Sequence, residues 1–189
     1  MTKIILDTET TGFPDRISFD TYYHPSMTKH YETSRLIELG YIICSDDGTI
    51  IKTVNNLVKP NNFKINNSFV HGITDEIATR DGIDVSQVIN LLKEDLFHYN
   101  ISTIIAHNLS FDINILLSEC YRIGSDEIIY KLENMMHEDT MVIGKEFMKT
   151  KKSPRLIELY EFLFKEPVKQ DHRALADADI CMKCYYKMK

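Results

Sequence analysis

The sequence predicts an α/β fold, a mixed five-stranded sheet flanked by helices. Three observations predict it. Apolar β-like runs crowd the first sixty residues, helical spacing alternates with short β-like runs over residues 86–142, and the remainder reads as helix. Residues 1–189 contain no repeat, low-complexity tract or Gly/Ser linker, so they are read as a single domain able to bury a substantial core.

The elements follow in order. Residues 3–6 read as a strand, and the consecutive apolar Ile4, Ile5 and Leu6 give the pattern of burial on both faces. Residues 35–45 and 49–58 form two more such runs, joined by Asp46-Asp47-Gly48, a good hairpin turn. Between the first and second strands, residues 13–34 read as a long polar and aromatic loop carrying Tyr22, Tyr23, His24 and Pro25; its length suggests a substrate-facing flap. Residues 86–99 place Val88, Leu91, Leu92, Leu96 and Tyr99 at helical spacing, with Asp84 as N-cap. A short strand over 103–106 leads into a helix over 111–121, and a fifth strand is expected over 138–142. Two helices close the chain, over 154–164 with Pro154 in the first turn, and over 173–187.

Composition narrows the function classes. Hydrophobic residues make up 43% and charged residues 26%, a globular balance. No apolar run approaches bilayer length, and only three apolar residues stand between Lys3 and Asp7, too few for a signal-peptide core. An intracellular, most simply cytoplasmic, protein with no membrane partner is expected. Four cysteines agree with a reducing compartment; Cys181 and Cys184 form one C-x-x-C pair without a second, so they read as helix residues rather than zinc ligands. The net charge of −6 argues against a large basic face gripping long nucleic acid, but not against a cation site built of carboxylates. Lys149, Lys151, Lys152 and Arg155 read as a solvated charge run.

Asp7 and Glu9 follow the first apolar run. Strand side chains alternate, so both carboxylates face the same way at a strand end where α/β sheets tend to bind ligands. Asp112 follows another buried strand at a helix opening, and His172 stands five residues before Asp177. Asp179 falls on the opposite side of that helix from Asp177 and reads as solvated, Asp171 reads as a helix cap, and His107 as a hydrogen-bonded structural histidine.

These segments together resemble the DEDDh, or DnaQ-like, exonuclease family. Asp7, Glu9, Thr11 and Gly12 match its D-x-E motif; His107, Asn108, Phe111 and Asp112 match H-N-x-x-F-D; His172, Ala174 and Asp177 match H-x-A-x-x-D. His71 to Thr74 match H-G-I-T, and Asp139-Thr140 a D-T pair. The residue four before Asp177 is Arg173 rather than Tyr, which sets the chain with the histidine branch.

The resemblance implies a ribonuclease-H-like fold and a 3′–5′ exonuclease acting on a single-stranded DNA or RNA 3′ end. Asp7, Glu9, Asp112 and Asp177 would hold two divalent cations, Mg²⁺ or Mn²⁺, about 3.5–4 Å apart. His172 would be the general base. Thr10, Thr11, Gly12, Phe13, Val70, His71, Asn108 and Phe111 would line the nucleotide pocket, the aromatic rings by stacking or as core. Two rival readings stand beside it, a catalytically silent nucleic-acid-binding module and a polymerase-associated proofreading subunit. The first should lack a site residue, and none of the five is missing; the second commonly carries a tail, and the sequence stops soon after Asp177. A stand-alone enzyme, monomer or homodimer, is expected. DNA or RNA preference is left open.

Overall fold

The computed structural model describes residues 1–18 and 21–189. In chain order these form β1 (Thr2–Thr10), β2 (Arg16–Ser18), β3 (Thr21–Tyr22), a 3-10 turn (Thr28–Tyr31), β4 (Leu36–Ser45), β5 (Ile50–Leu57), α1 (Ser68–His71), α2 (Asp75–Asp81) and α3 (Val85–His98). Then come β6 (Ile101–Ala106), α4 (Leu109–Ile123), α5 (Asp126–Glu133), β7 (Met136–Asp139), α6 (Thr140–Met148), α7 (Leu156–Phe164) and α8 (Ala174–Met188).

Five of the described strands make one mixed sheet in the order β5-β4-β1-β6-β7. β4 pairs antiparallel with β1 and β5, while β1, β6 and β7 run parallel. The central strand explains the consecutive apolar run. Ile4 and Leu6 face a core with Leu92 and Leu96 of α3 and Leu116 and Cys120 of α4. Ile5 faces the other way, with Ile42 and Ile105, onto Leu159 of α7 and Cys181 and Tyr185 of α8. Burial of both faces, each large aliphatic side chain contributing roughly 1.5–3 kcal/mol, fixes the register of β1 and hence the direction of everything beyond Leu6.

One glycine brings the last helix down onto the sheet. A Cβ at Gly40 would lie 2.2 Å from Leu175 N and 2.4 Å from the Ala174 carbonyl carbon, so the first turn of α8 rests directly on the β4 backbone. Gly40 is the register partner of Asp7.

The observed elements depart from the sequence expectation in several places. Residues 13–34 are not one long loop: they contain the β2–β3 hairpin and the 3-10 turn, whose Tyr31 is fully buried. Phe19 and Asp20 of that stretch lie outside the described residues. The strand expected over 138–142 stops at Asp139, because the Asp139 carboxylate accepts from Met141 N at 2.8 Å and starts α6 there. Pro154 lies ahead of α7 rather than in its first turn: Arg155 is the N-cap, and its N–H donates to Glu158 Oε2 at 2.8 Å. Asp171 does not cap α8, whose N-cap is Arg173; it pairs with Lys169 at 2.7 Å instead. Elsewhere Asp84 caps α3 with a full capping box, and the buried Cys181 and Cys184 are free thiols on α8. No described helix is long and apolar enough to cross a membrane.

Candidate active site

The register of β1 points Asp7 and Glu9 to the face that α8 covers, and Asp177 comes down from the first turn of α8 to meet them. One carboxylate oxygen from each of the three lies within 4.8 Å of the others. Asp112 does not join that set. It approaches from α4, and its Oδ1 accepts from Thr8 N at 2.9 Å and Thr8 Oγ1 at 2.7 Å.

Buried acids this close together cannot all ionise unaided. Burial, then the charges of Asp112, Asp177, Glu9 and Glu38, hold the Asp7 carboxyl well above the usual carboxylate range. Burial and the Asp177 and Glu38 charges push Glu9 up to about 8, with only Arg173 opposing. Burial pushes Asp112 up to about 7 against its bonds from Thr8. Asp177 is raised by burial, against the Gln170 hydrogen bond and the nearby His172. Gln170 Nε2 donates to Asp177 Oδ2 at 2.8 Å, while Asp177 Oδ1 is buried with no partner among the described residues. An all-oxygen donor set with an orphaned buried carboxylate oxygen suits a hard divalent cation.

Three residues hold these carboxylates in place. Glu38 is fully buried on β4 beside Glu9, takes the Arg173 guanidinium in a fork, and accepts from Ala174 N at 2.9 Å and Asn55 Nδ2 at 2.9 Å. It thereby pins the first turn of α8. Asp139 accepts from Asn108 N at 2.9 Å, Leu109 N at 3.0 Å and Met141 N at 2.8 Å, which locks the turn that launches α4 to the start of α6. Sequence reasoning missed Glu38, Arg173 and Gln170 as site residues, and saw Asp139 only as half of a matched pair. The available signal for Glu38 was a carboxylate inside the apolar run Leu36-Ile37-Glu38-Leu39, which requires a buried partner.

The remaining expected residues fall in different environments. His172 is exposed on the approach to α8, in the left-handed region at φ 48°. Phe13 is 74% exposed, its ring edge-on to Phe111 at 5.9 Å. Asp7, Asp177, Phe13, Asn108, Gln170 and His107 line a cleft of about 490 Å³. Asn108 turns the chain at φ 71°. Val70 is exposed on α1, and Asn67, just before α1, ties it to the end of β1 by donating to Thr10 O at 2.8 Å. His71 is 3% exposed; its Nδ1 accepts from Ile73 N at 3.1 Å, its Nε2 is buried with no partner among the described residues, and burial lowers its pKa.

Thr10, Thr11 and Gly12 make internal bonds. Thr10 Oγ1 and Ser34 Oγ both donate to Gly12 O at 2.7 Å, and Thr11 Oγ1 donates to Thr33 O at 3.1 Å and accepts from Arg35 N at 2.9 Å. His107 is structural: its Nε2 donates to Pro154 O at 3.0 Å and its Nδ1 meets Thr140 Oγ1 at 3.0 Å. Asp179 points away and pairs with Lys183 at 2.7 Å. In the basic run, Lys149 caps the end of α6, Lys151 and Lys152 are exposed, and Arg155 pairs with Glu158 at 2.9 Å.

Comparison with known proteins sets this geometry in context. The exonuclease family model RNase_T matches residues 4–185. No curated protein matches the chain significantly. Among solved structures, E. coli Exonuclease I in complex with a dA16 oligonucleotide is similar with a TM-score of 0.73 at 18% identity, over 100% of this chain and 40% of that one. The zinc-bound form of an E. coli ExoI–ssDNA complex is similar with a TM-score of 0.72 at 16% identity, over 100% and 40%. Exonuclease X in complex with 5′ overhanging duplex DNA gives 0.62 at 21%, over 98% of this chain and 90% of that one. The chain thus spans two-fifths of the Exonuclease I structures and nearly all of Exonuclease X; at these identities the likeness is one of fold.

Proposed function

The chain belongs to the RNase_T exonuclease family, of the DEDDh type, whose model covers residues 4–185, and from that premise we propose that it releases nucleotides one at a time by hydrolysis from the 3′ end of a single nucleic-acid strand. The observation that carries this reading is the convergence of Asp7, Glu9 and Asp177 within 4.8 Å, with raised carboxyl pKa values and an orphaned buried oxygen on Asp177.

Asp7, Glu9 and Asp177 would hold one divalent cation, and Asp7 with Asp112 a second; Mg²⁺ or Mn²⁺ suits the oxygen donors. When bound, such ions supply Lewis acidity toward the phosphodiester, acidify the attacking water and neutralise charge on the leaving oxygen. The chain's own residues do the rest. Gln170 holds Asp177 by one oxygen and leaves the other free to bind. His172, exposed and two residues before α8, accepts the proton of the attacking water at a ring nitrogen; the adjacent Arg173–Glu38 fork fixes where that loop enters the helix. The Ile73 N–H on Nδ1 selects the His71 tautomer with its proton on Nε2, a buried donor available to the terminal nucleoside. Phe13 and Phe111 offer ring faces and edges to the base.

A digestion panel tests the reading: 5′-labelled single-stranded DNA, duplex DNA and RNA, each with and without Mg²⁺ or Mn²⁺. Metal-dependent shortening from the 3′ end of at least one single strand, lost in Asp7→Asn, is expected. No metal-dependent trimming of any of them, or release of the 5′ label as a mononucleotide before the ladder shortens, overturns it.

A further inference from the structure

We propose that the β2–β3 hairpin walls a second subsite, continuous with the carboxylate cleft, that holds the nucleotide on the 5′ side of the scissile phosphate. The inference deepens the nuclease reading and rests on it.

A second cleft of about 450 Å³ is lined by Arg16 and Tyr22 on one side and by Asn108, Ser110, Met141 and Val142 on the other. It shares Asn108, Met141 and Ser153 with the cleft that contains Asp7 and Asp177, so the two form one trough. The contents change along it. None of Asp7, Glu9, Asp112 and Asp177 lines the second half, and the one acid there, Asp139, has both oxygens bonded to backbone N–H groups. In their place stand a guanidinium, an aromatic ring, two apolar side chains and small polar groups. That set suits a base, a sugar and a phosphate.

The aromatic groups run without a break from one half to the other. The Phe13 ring lies 5.9 Å from Phe111, and the Tyr22 ring 6.5 Å from Phe111. Arg16 sits over both outer rings, 5.0 Å from Tyr22 and 6.0 Å from Phe13. Across the trough, Val142 in the first turn of α6 is 51% exposed, an apolar surface facing the hairpin rather than the core.

Sheet order gives the trough a direction. His71 and its charged neighbours Glu38 and Arg173 lie on the β4 side of β1. The second cleft is built from the turns after β6 and β7, on the other side. A strand whose scissile phosphate lies at Asp7, with its terminal nucleoside toward His71, therefore leaves past Arg16 and Tyr22. The hairpin is fastened at its base, where Asp15 N donates to His30 O at 2.9 Å and Thr33 Oγ1 donates to Phe13 O at 2.8 Å. Side chains beyond that base can be changed without disturbing β1.

The p-nitrophenyl ester of thymidine 5′-monophosphate has a terminal nucleoside and a cleavable phosphodiester, but on the 5′ side it carries only a p-nitrophenyl leaving group, with no base, sugar or further phosphate. Arg16→Ala and Tyr22→Ala, assayed with Mn²⁺ on this ester and on a 5′-labelled oligothymidylate, test the proposal. Each variant is expected to raise KM for the oligonucleotide roughly tenfold, in keeping with loss of one stacked base or one phosphate contact. Turnover of the ester should stay within about twofold of wild type. Equal losses on both substrates would mean that the hairpin shapes the carboxylate cleft itself, and no loss on either would mean that the trough is not used; both overturn the proposal. A wild-type protein inactive on both substrates instead overturns the nuclease reading from which it follows.

Discussion

Asp7, Glu9 and Asp112 hold protons in the folded protein that the unfolded chain would release, and the sign of the consequence is fixed. Their folded pKa values are raised, so the stability tied to their protonated forms is present at acid pH and is lost as pH rises from the ordinary carboxylate range through about 8 for Glu9. In chelator-treated protein the thermal midpoint should fall between about pH 5 and pH 8, and Mn²⁺ should raise it far more at pH 8 than at pH 5. A midpoint independent of pH, or an equal metal effect at both ends, would show that these acids do not face one another in solution. Asp7→Asn should raise the metal-free midpoint at pH 8 and abolish turnover, since it removes a ligand and a repulsive charge together. Asp7, Glu9, Asp112 and Asp177 could be singled out from the sequence because strand alternation and helix openings drew attention to them and their ordered motifs resemble those of a known family. Glu38 and Arg173 could not. Their meaning lies in one fork between residues far apart in the chain, and nothing local to either names the other.

At the level of the element, the contact between β4 and α8 is the most exacting. Gly40→Ala would drive a methyl into the Ala174–Leu175 backbone, lifting the helix that carries Asp177 away from Asp7. Overpacking of this kind costs roughly 1–3 kcal/mol. The expected result is a lower urea midpoint and, in whatever fraction folds, weaker Mn²⁺ binding by calorimetry. Wild-type metal affinity in Gly40→Ala would contradict so close a seam. Long periodic elements such as α3 and α4 were legible from sequence, because burial of one face dictates their spacing. The boundaries at Asp139 and Pro154 were not. A four-residue strand carries too little pattern, and the carboxylate of Asp139 ends it by a side-chain bond to backbone that no periodicity encodes. The α5 and α6 helices also went unread.

Across the whole molecule, the parallel run of β1, β6 and β7 brings three strand ends to one edge, and the trough opens there between the turns that follow them. With a net charge of −6, the protein cannot hold a strand by diffuse attraction. Binding to oligothymidylate should therefore depend only weakly on salt. A log–log slope of about −1 to −2 is expected, since each phosphate contact on a single strand contributes about −0.7. A slope several times steeper would reveal an extended basic track outside the trough.

The Gly40 seam also has a bearing on time. Asp7 lies in the first strand and Asp177 in the last helix, and the carboxylate group closes only when α8 settles onto β4. That docking is among the most sequence-distant events in the fold, the kind that chain entropy delays. During refolding, secondary structure and the α3–α4 side of the core should therefore appear first, and the ability to cut a phosphodiester last. On the proposed function, the protein would stay harmless to nucleic acid until its own assembly is finished.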